Sequence, residues 1–135
     1  MRVVIPVVTA VVTSICSSAA AQLVPIPTEP APSVCPDRPA EPDLLTGMDV
    51  REAHRAILLR NMYKAAAYAE VAATGTCTCD QRFPDWTPVV AHYLETYAGE
   101  TDRNVLRERQ HFYLRSSNLN RPAVREICTA AGNWG

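Results

Sequence analysis

The chain has little of what most enzymes and nucleic-acid binders carry. Its 135 residues include five glycines, two phenylalanines and a single lysine, Lys64. Five scattered glycines form no Gly-rich phosphate loop. No Ser-His-Asp or Cys-His signature of an activated nucleophile is present. Basic and acidic residues nearly balance at 13 and 14, which lacks the basic excess of a generic nucleic-acid binder. There is no C-x-x-C pair, so neither the usual zinc knuckle nor a thioredoxin-type motif can be read. No strand-like alternation of any length occurs, and no internal repeat. The longest apolar run, Val3 to Ile15, falls short of the ~20 residues of a membrane span and is interrupted by Pro6.

What is present begins with that run. Arg2 supplies a positive start, the apolar stretch follows, and Ala19 and Ala21 precede Gln22. Positive, apolar and A-x-A segments in this order describe a secretory signal peptide over residues 1–21, cleaved near Ala21. Retention as a lipoprotein through Cys16 is disfavoured, because Ile15 occupies a place where a small residue is needed. The expected location is the periplasm or outside the cell. Removing Arg2 leaves 12 basic residues against 14 acidic ones in the mature chain, a net charge of −2. A mature chain of this length makes one domain with a modest core, which cross-links would support.

Export changes the meaning of the cysteines. Without Cys16 four remain, Cys35, Cys77, Cys79 and Cys128, an even number in a small exported chain and therefore a disulfide framework. Four cysteines allow three connectivities. A Cys77–Cys79 bond would close a very tight ring. The other two connectivities both tie the middle of the chain to Cys35 on one side and Cys128 on the other, and both stay open. The functional alternative is a thiol-redox or copper-binding site using the C-x-C pair.

Residues 22–47 form a Pro-rich leader, with seven prolines between Gln22 and Pro42. Their spacing favours extended polyproline-like chain and reads as a spacer stapled at Cys35, with a docking strand for a partner as the other possibility. Residues 48–135 read as a helical domain. Asp49 and Glu52 have capping-box spacing, and a long helix is expected to Thr74 with Gly75 as its terminator. Its apolar residues cover so much of the circumference that it should lie centrally. Thr76 to Asp85 reads as a loop. Thr87-Pro88 starts the next helix. Asp102 or Thr101 opens a third reaching about Arg115, Asn118 to Pro122 reads as a turn, and Pro122 opens a short last helix. The expected fold is all-α, a small antiparallel bundle of three to four helices, disulfide-stapled.

Candidate sites are sparse. Glu108 and His111 have the E-x-x-H spacing of di-iron bundles, but the second motif is missing, so no metal or other cofactor is expected. No small-molecule substrate is inferred. One charge asymmetry stands out: Arg103 to Arg125 holds six arginines against Glu108 alone. Arg103, Arg107, Arg109 and Arg115, with Trp86 as an aromatic anchor, are the candidate docking residues for an acidic partner or for peripheral contact with anionic lipid.

The signal peptide, the Pro-rich leader with one cysteine, the Ala-rich helix, Gly75-Thr76-Cys77-Thr78-Cys79 with Arg82-Phe83-Pro84-x-Trp86, and Cys128 ahead of Ala130-Ala131-Gly132-Asn133-Trp134 together resemble small exported proteins found among type IV secretion and conjugal transfer genes of Gram-negative bacteria. The resemblance implies a non-catalytic periplasmic accessory of an envelope-spanning apparatus, whose partners are other envelope proteins. It transfers no binding residue.

Overall fold

The computed structural model describes residues 34–135. The expected signal peptide, Cys16 and the leader through residue 33 lie outside the described residues. From Val34 the chain passes Cys35 and a proline-spaced stretch into a single turn, α1 (Asp43–Thr46). A 3₁₀ turn over Val50–Glu52 follows, capped by the Asp49 carboxylate, which accepts from the Arg51 N–H at 2.8 Å. It leads into α2 (Ala53–Thr74). Gly75 ends α2 at φ 67°, its N–H donating to the Val71 carbonyl, the left-handed stop that a side chain would disfavour.

The expected loop over Thr76 to Asp85 contains one helical turn, α3 (Cys79–Arg82), set by a reciprocal Thr78–Gln81 capping box. The next helix, α4, spans Thr87–Thr96 with Pro88 in its first turn. Its free N-terminal amide is taken by Asp85, whose carboxylate accepts from the Thr87 N–H at 2.7 Å, so the capping side chain is two residues earlier than expected. Asp102 opens α5 (Arg103–Ala130), accepting from the Asn104 N–H at 2.8 Å. Among the described residues there is no strand.

α5 corrects the sequence reading most. A turn at Asn118 to Pro122 and a separate last helix were expected; instead one 28-residue helix runs straight through Pro122. Proline removes one N–H, and the Asn118 carbonyl loses its i+4 partner. Both residues are exposed, so water can take the freed carbonyl. Beyond Pro122, Val124 and Cys128 are fully buried and hold the last turns in place.

The helices run up, down and up. Trp86 at the start of α4 stacks on Tyr63 with ring centroids 3.7 Å apart, and the Tyr97 carbonyl at its end accepts from Arg55 Nη1 at 3.0 Å. α4 is therefore antiparallel to α2, as expected. α5 is not. The His54 carbonyl accepts from Gln110, the Asn61 amide donates to the Gln110 carbonyl, and Val71 packs with Val124 and Cys128. Residue numbers rise together along the two long helices, so the principal pair of the bundle is parallel. Full or partial burial along α5 recurs at Leu106, Gln110, Tyr113, Ser117, Asn120, Val124 and Cys128, in steps of three and four that keep one seam against the partner helix.

The core has two parts. Leu45, Ala56, Leu58, Leu59, Met62, Trp86, Tyr93 and Leu106 form the larger, and Val71, Cys77, Val124 and Cys128 the smaller, at the disulfide end. Leu45 belongs to the leader as delimited from the sequence. The described part of that leader is thus no spacer: it lies along the back of α2, where Arg60 donates two hydrogen bonds of 2.7 Å to the Glu41 carboxylate and holds the Glu41 pKa below its ordinary value, chiefly through those bonds.

Two substitutions test this architecture. Pro122→Ala restores the missing bond to the Asn118 carbonyl and is expected to raise stability by about 1–3 kcal/mol in urea unfolding; a loss would mean that proline is required where it stands. Arg55 clamps the corner after α4, donating to the Tyr97, Ala98 and Glu100 carbonyls with its side chain only 15% exposed. Arg55→Ala strands these acceptors and is expected to lower stability by about 2–3 kcal/mol. Arg55→Lys, which lacks the planar fork, recovers only part of it.

Candidate functional site

The α2–α3 connection brings the four described cysteines together. Cys77 follows the Gly75 stop, and Cys79 is the first residue of α3. Of the two open connectivities, the structure has Cys35–Cys79 and Cys77–Cys128, with Cα atoms 5.4 and 5.0 Å apart. The first ties the leader to the bend and the second ties the bend to the end of α5. With each sulfur of the C-x-C pair in a separate bond, the pair presents no thiolate in this form. Cys35 is the only described non-glycine residue at positive φ, 61°, a left-handed conformation costing ~1–2 kcal/mol.

The tail closes over the same bend. The Asn133 amide donates to the Cys77 carbonyl at 2.6 Å. Arg82 lies over the Phe83 ring at 5.0 Å and the Trp134 ring at 4.7 Å and donates to the Asn133 and Gly135 carbonyls. Burial lowers the Arg82 pKa from its ordinary value. The Asn133 amide and the Arg82 guanidinium hold the chain to itself at this bend.

Glu108 and His111 are both exposed on α5, and among the described residues no three His, Cys, Asp or Glu side chains are placed to hold a metal. His92 meets Thr96 at 3.3 Å and the Tyr113 hydroxyl at 3.5 Å, and Tyr113 meets the Tyr97 hydroxyl at 3.3 Å. Burial first, and then that hydrogen bond, push the Tyr113 pKa up to about 12. This chain of hydroxyls edges an apolar groove of about 340 Å³ between α2, α4 and α5, floored by Met62, Ala65, Ala66 and Phe112. Tyr63, also pushed up to about 12 by burial and then by Asp85, donates to the Pro84 carbonyl at 2.8 Å. These neutral phenols tie α2 and α5 to the two ends of α4.

The candidate docking residues separate. Trp86 is 9% exposed and, at the N-cap of α4, stacked on Tyr63, so it is a core residue rather than a surface anchor. At helical pitch Arg103 and Arg107 share one flank of α5, Arg115 turns ~100° away, and Arg109 points toward the α4 side. Two residues passed over as docking candidates take their place. Arg121 and Arg125 fall on the same flank as Arg103 and Arg107 once α5 is continuous. Their signal was the interval of fourteen between residues 107 and 121, two heptads, which the expected break at Pro122 concealed. Ion pairs among the described residues are Arg55–Glu52 and Arg60–Glu41; none involves an α5 arginine.

Comparison of the chain with models of known protein families, with curated proteins and with solved structures returned no match. The site therefore has to be read from its own geometry. Fold and bend define a small helical protein cross-linked by two disulfides, and among the described residues no helix is long and apolar enough to cross a membrane.

The bend carries its own test. Without reductant, thiol titration of the chain from Cys35 onward is expected to find no free thiol. Replacing Cys77 and Cys128 together by Ser opens a loop of 51 residues and is expected to cost about 4 kcal/mol in unfolding free energy. Equal stability of the reduced and oxidised protein would overturn the structural role given to the cysteines.

Proposed function

We propose that this is a non-catalytic interaction protein of the bacterial periplasm, exported by its signal peptide and serving as an accessory in a type IV secretion or conjugation apparatus. The observation that carries the proposal is the flank of α5. Arg103, Arg107, Arg121 and Arg125 are exposed, and no carboxylate among the described residues pairs with any of them. Charges left uncompensated on one side of a rigid helix attract and orient a partner of opposite sign. The two disulfides fit an oxidising compartment. The family assignment rests on the resemblance of the chain's overall plan.

The test is site-specific photo-cross-linking in cells, from position 107 and from Leu94 on α4 as a control. Leu94 is exposed and away from the arginine flank. Adducts with envelope proteins are expected from position 107 and not from position 94, and are expected to vanish when Arg103, Arg121 and Arg125 are changed to Glu in the same chain. Equal adducts from both positions, or a protein recovered unprocessed from the cytoplasm, would overturn the proposal.

A further inference from the structure

Arg107, Leu114 and Arg121 are seven residues apart on α5, so they stand in one line along the helix, and Arg103 and Arg125 lie one turn beyond at either end. The line spans ~33 Å at helical rise. It runs beside the α2–α5 seam, on the side away from α4. There Arg103 and Arg107 share a polar groove of about 380 Å³ with His54 and Gln110, whereas the α4 side presents the apolar groove at Phe112 and Tyr113. Glu108 and Glu126 point about a third of a turn away from the line. On α2 the same flank carries Ile57, three residues after His54, and Ile57 and Leu114 are 48% and 40% exposed. The surface is thus basic at both ends and apolar toward the middle.

We propose that this flank binds an acidic α-helical segment of another protein, with carboxylates toward both ends and an apolar residue between them. The proposal rests on the docking function given above and adds the chemistry of the partner. Charge complementarity selects the sign: four guanidiniums without carboxylate partners are gathered on one flank of a chain whose basic and acidic residues nearly balance overall. Guanidinium selects carboxylate, whose two oxygens match its fork. The shape selects a helix. A basic line along one continuous helix, beside an inter-helix seam, accepts a rod of about six turns, with i, i+3 and i+4 side chains reaching both walls. An anionic bilayer fits less well. Membrane-surface helices set large apolar side chains opposite their basic ones to enter the interface, and neither Trp, Tyr nor Phe occurs among the α5 residues on this flank.

The experiment uses the oxidised full chain and three probes at about 0.15 M salt, where long-range attraction is screened. One is a synthetic helix of 22 residues with paired Glu at both ends and Leu at the centre; the second has the same composition with a central proline; the third is a phosphatidylglycerol vesicle. The helical probe is expected to bind, Arg107→Glu with Arg121→Glu to weaken it about tenfold or more, and the proline probe to bind at least about fivefold less well. Arg107→Gln with Arg121→Gln, read with the circular-dichroism melt, separates lost charge from lost folding. Sedimentation with vesicles in place of peptide binding, equal affinity for the two peptides, no binding of any probe, or indifference to the charge reversal would each overturn the proposal. The docking function fails separately: it falls if the cellular adducts survive loss of the arginines, whereas adducts lost on charge reversal beside a helical probe that never binds remove the helical partner alone.

Discussion

Apolar side chains on nearly every side of α2 are the constraint from which the architecture follows. A helix of 22 residues with Leu58, Leu59, Met62, Ala65, Ala67 and Val71 all buried cannot present a wet face along much of its length. α5 covers the seam through Leu58 and Ala65, α4 covers the flank at Leu59, Met62 and Tyr63, and the proline-spaced segment with α3 covers the back around Arg60 and Ala67. Alanine at 65 and 67 lets those layers approach closely. Pro36, Pro39 and Pro42 suit a covering segment: they lack N–H donors that it would otherwise have to satisfy while lying on a helix.

Such coverage by thin layers is weak at its edges, and there the disulfides sit. A covering segment of about ten residues contributes little buried area by itself. Bonding Cys35 to Cys79 holds its beginning, and Leu45 in the main core holds its end. The Cys77–Cys128 bond performs the same task for α5, whose last turns follow a proline and would otherwise fray. Both bonds converge on three residues, 77 to 79, shortly after a glycine stop, so the proline-spaced segment, α2 and α5 share one fixed point.

How much of this was legible depended on whether a feature was local. The Gly75 stop, the Asp102 cap, the central position of the long helix and the sulfur framework follow from residue type and spacing, and all four are present. Pro122 misled, because helix breaking is a local rule and the continuation of α5 is a tertiary effect: Val124 and Cys128 are buried against α2 and hold the helical path. The seam of α5 was hidden for a related reason. Gln110, Ser117 and Asn120 occupy three of its positions, so an apolar stripe is hard to see, while Phe112 and Leu119, 52% and 82% exposed, suggest a stripe on a different face. The direction of α5 was not legible either, since a short connection after α4 fixes it relative to α4 and only the up-down-up order then makes it parallel to α2.

The same misreading had a functional consequence. Split at Pro122, the arginines of this region are two unrelated groups in which Arg103 and Arg107 share a face and the rest scatter. Joined in one helix, four of them fall into register over ~33 Å, while Arg109 and Arg115 drop out. A helix interrupted by proline but held by tertiary contacts can thus carry a pattern that neither half shows alone. Such a line is informative only because its support is rigid: a cross-link at the end of α5 and the Arg55 clamp near its start hold the spacing of the guanidiniums while a partner comes and goes. On a frayed helix the same residues would be diffuse positive charge, able to attract but not to discriminate. The covalent bend and the arginine line therefore belong to one design, in which the sulfur bridges contribute to recognition by holding its geometry rather than by touching the partner.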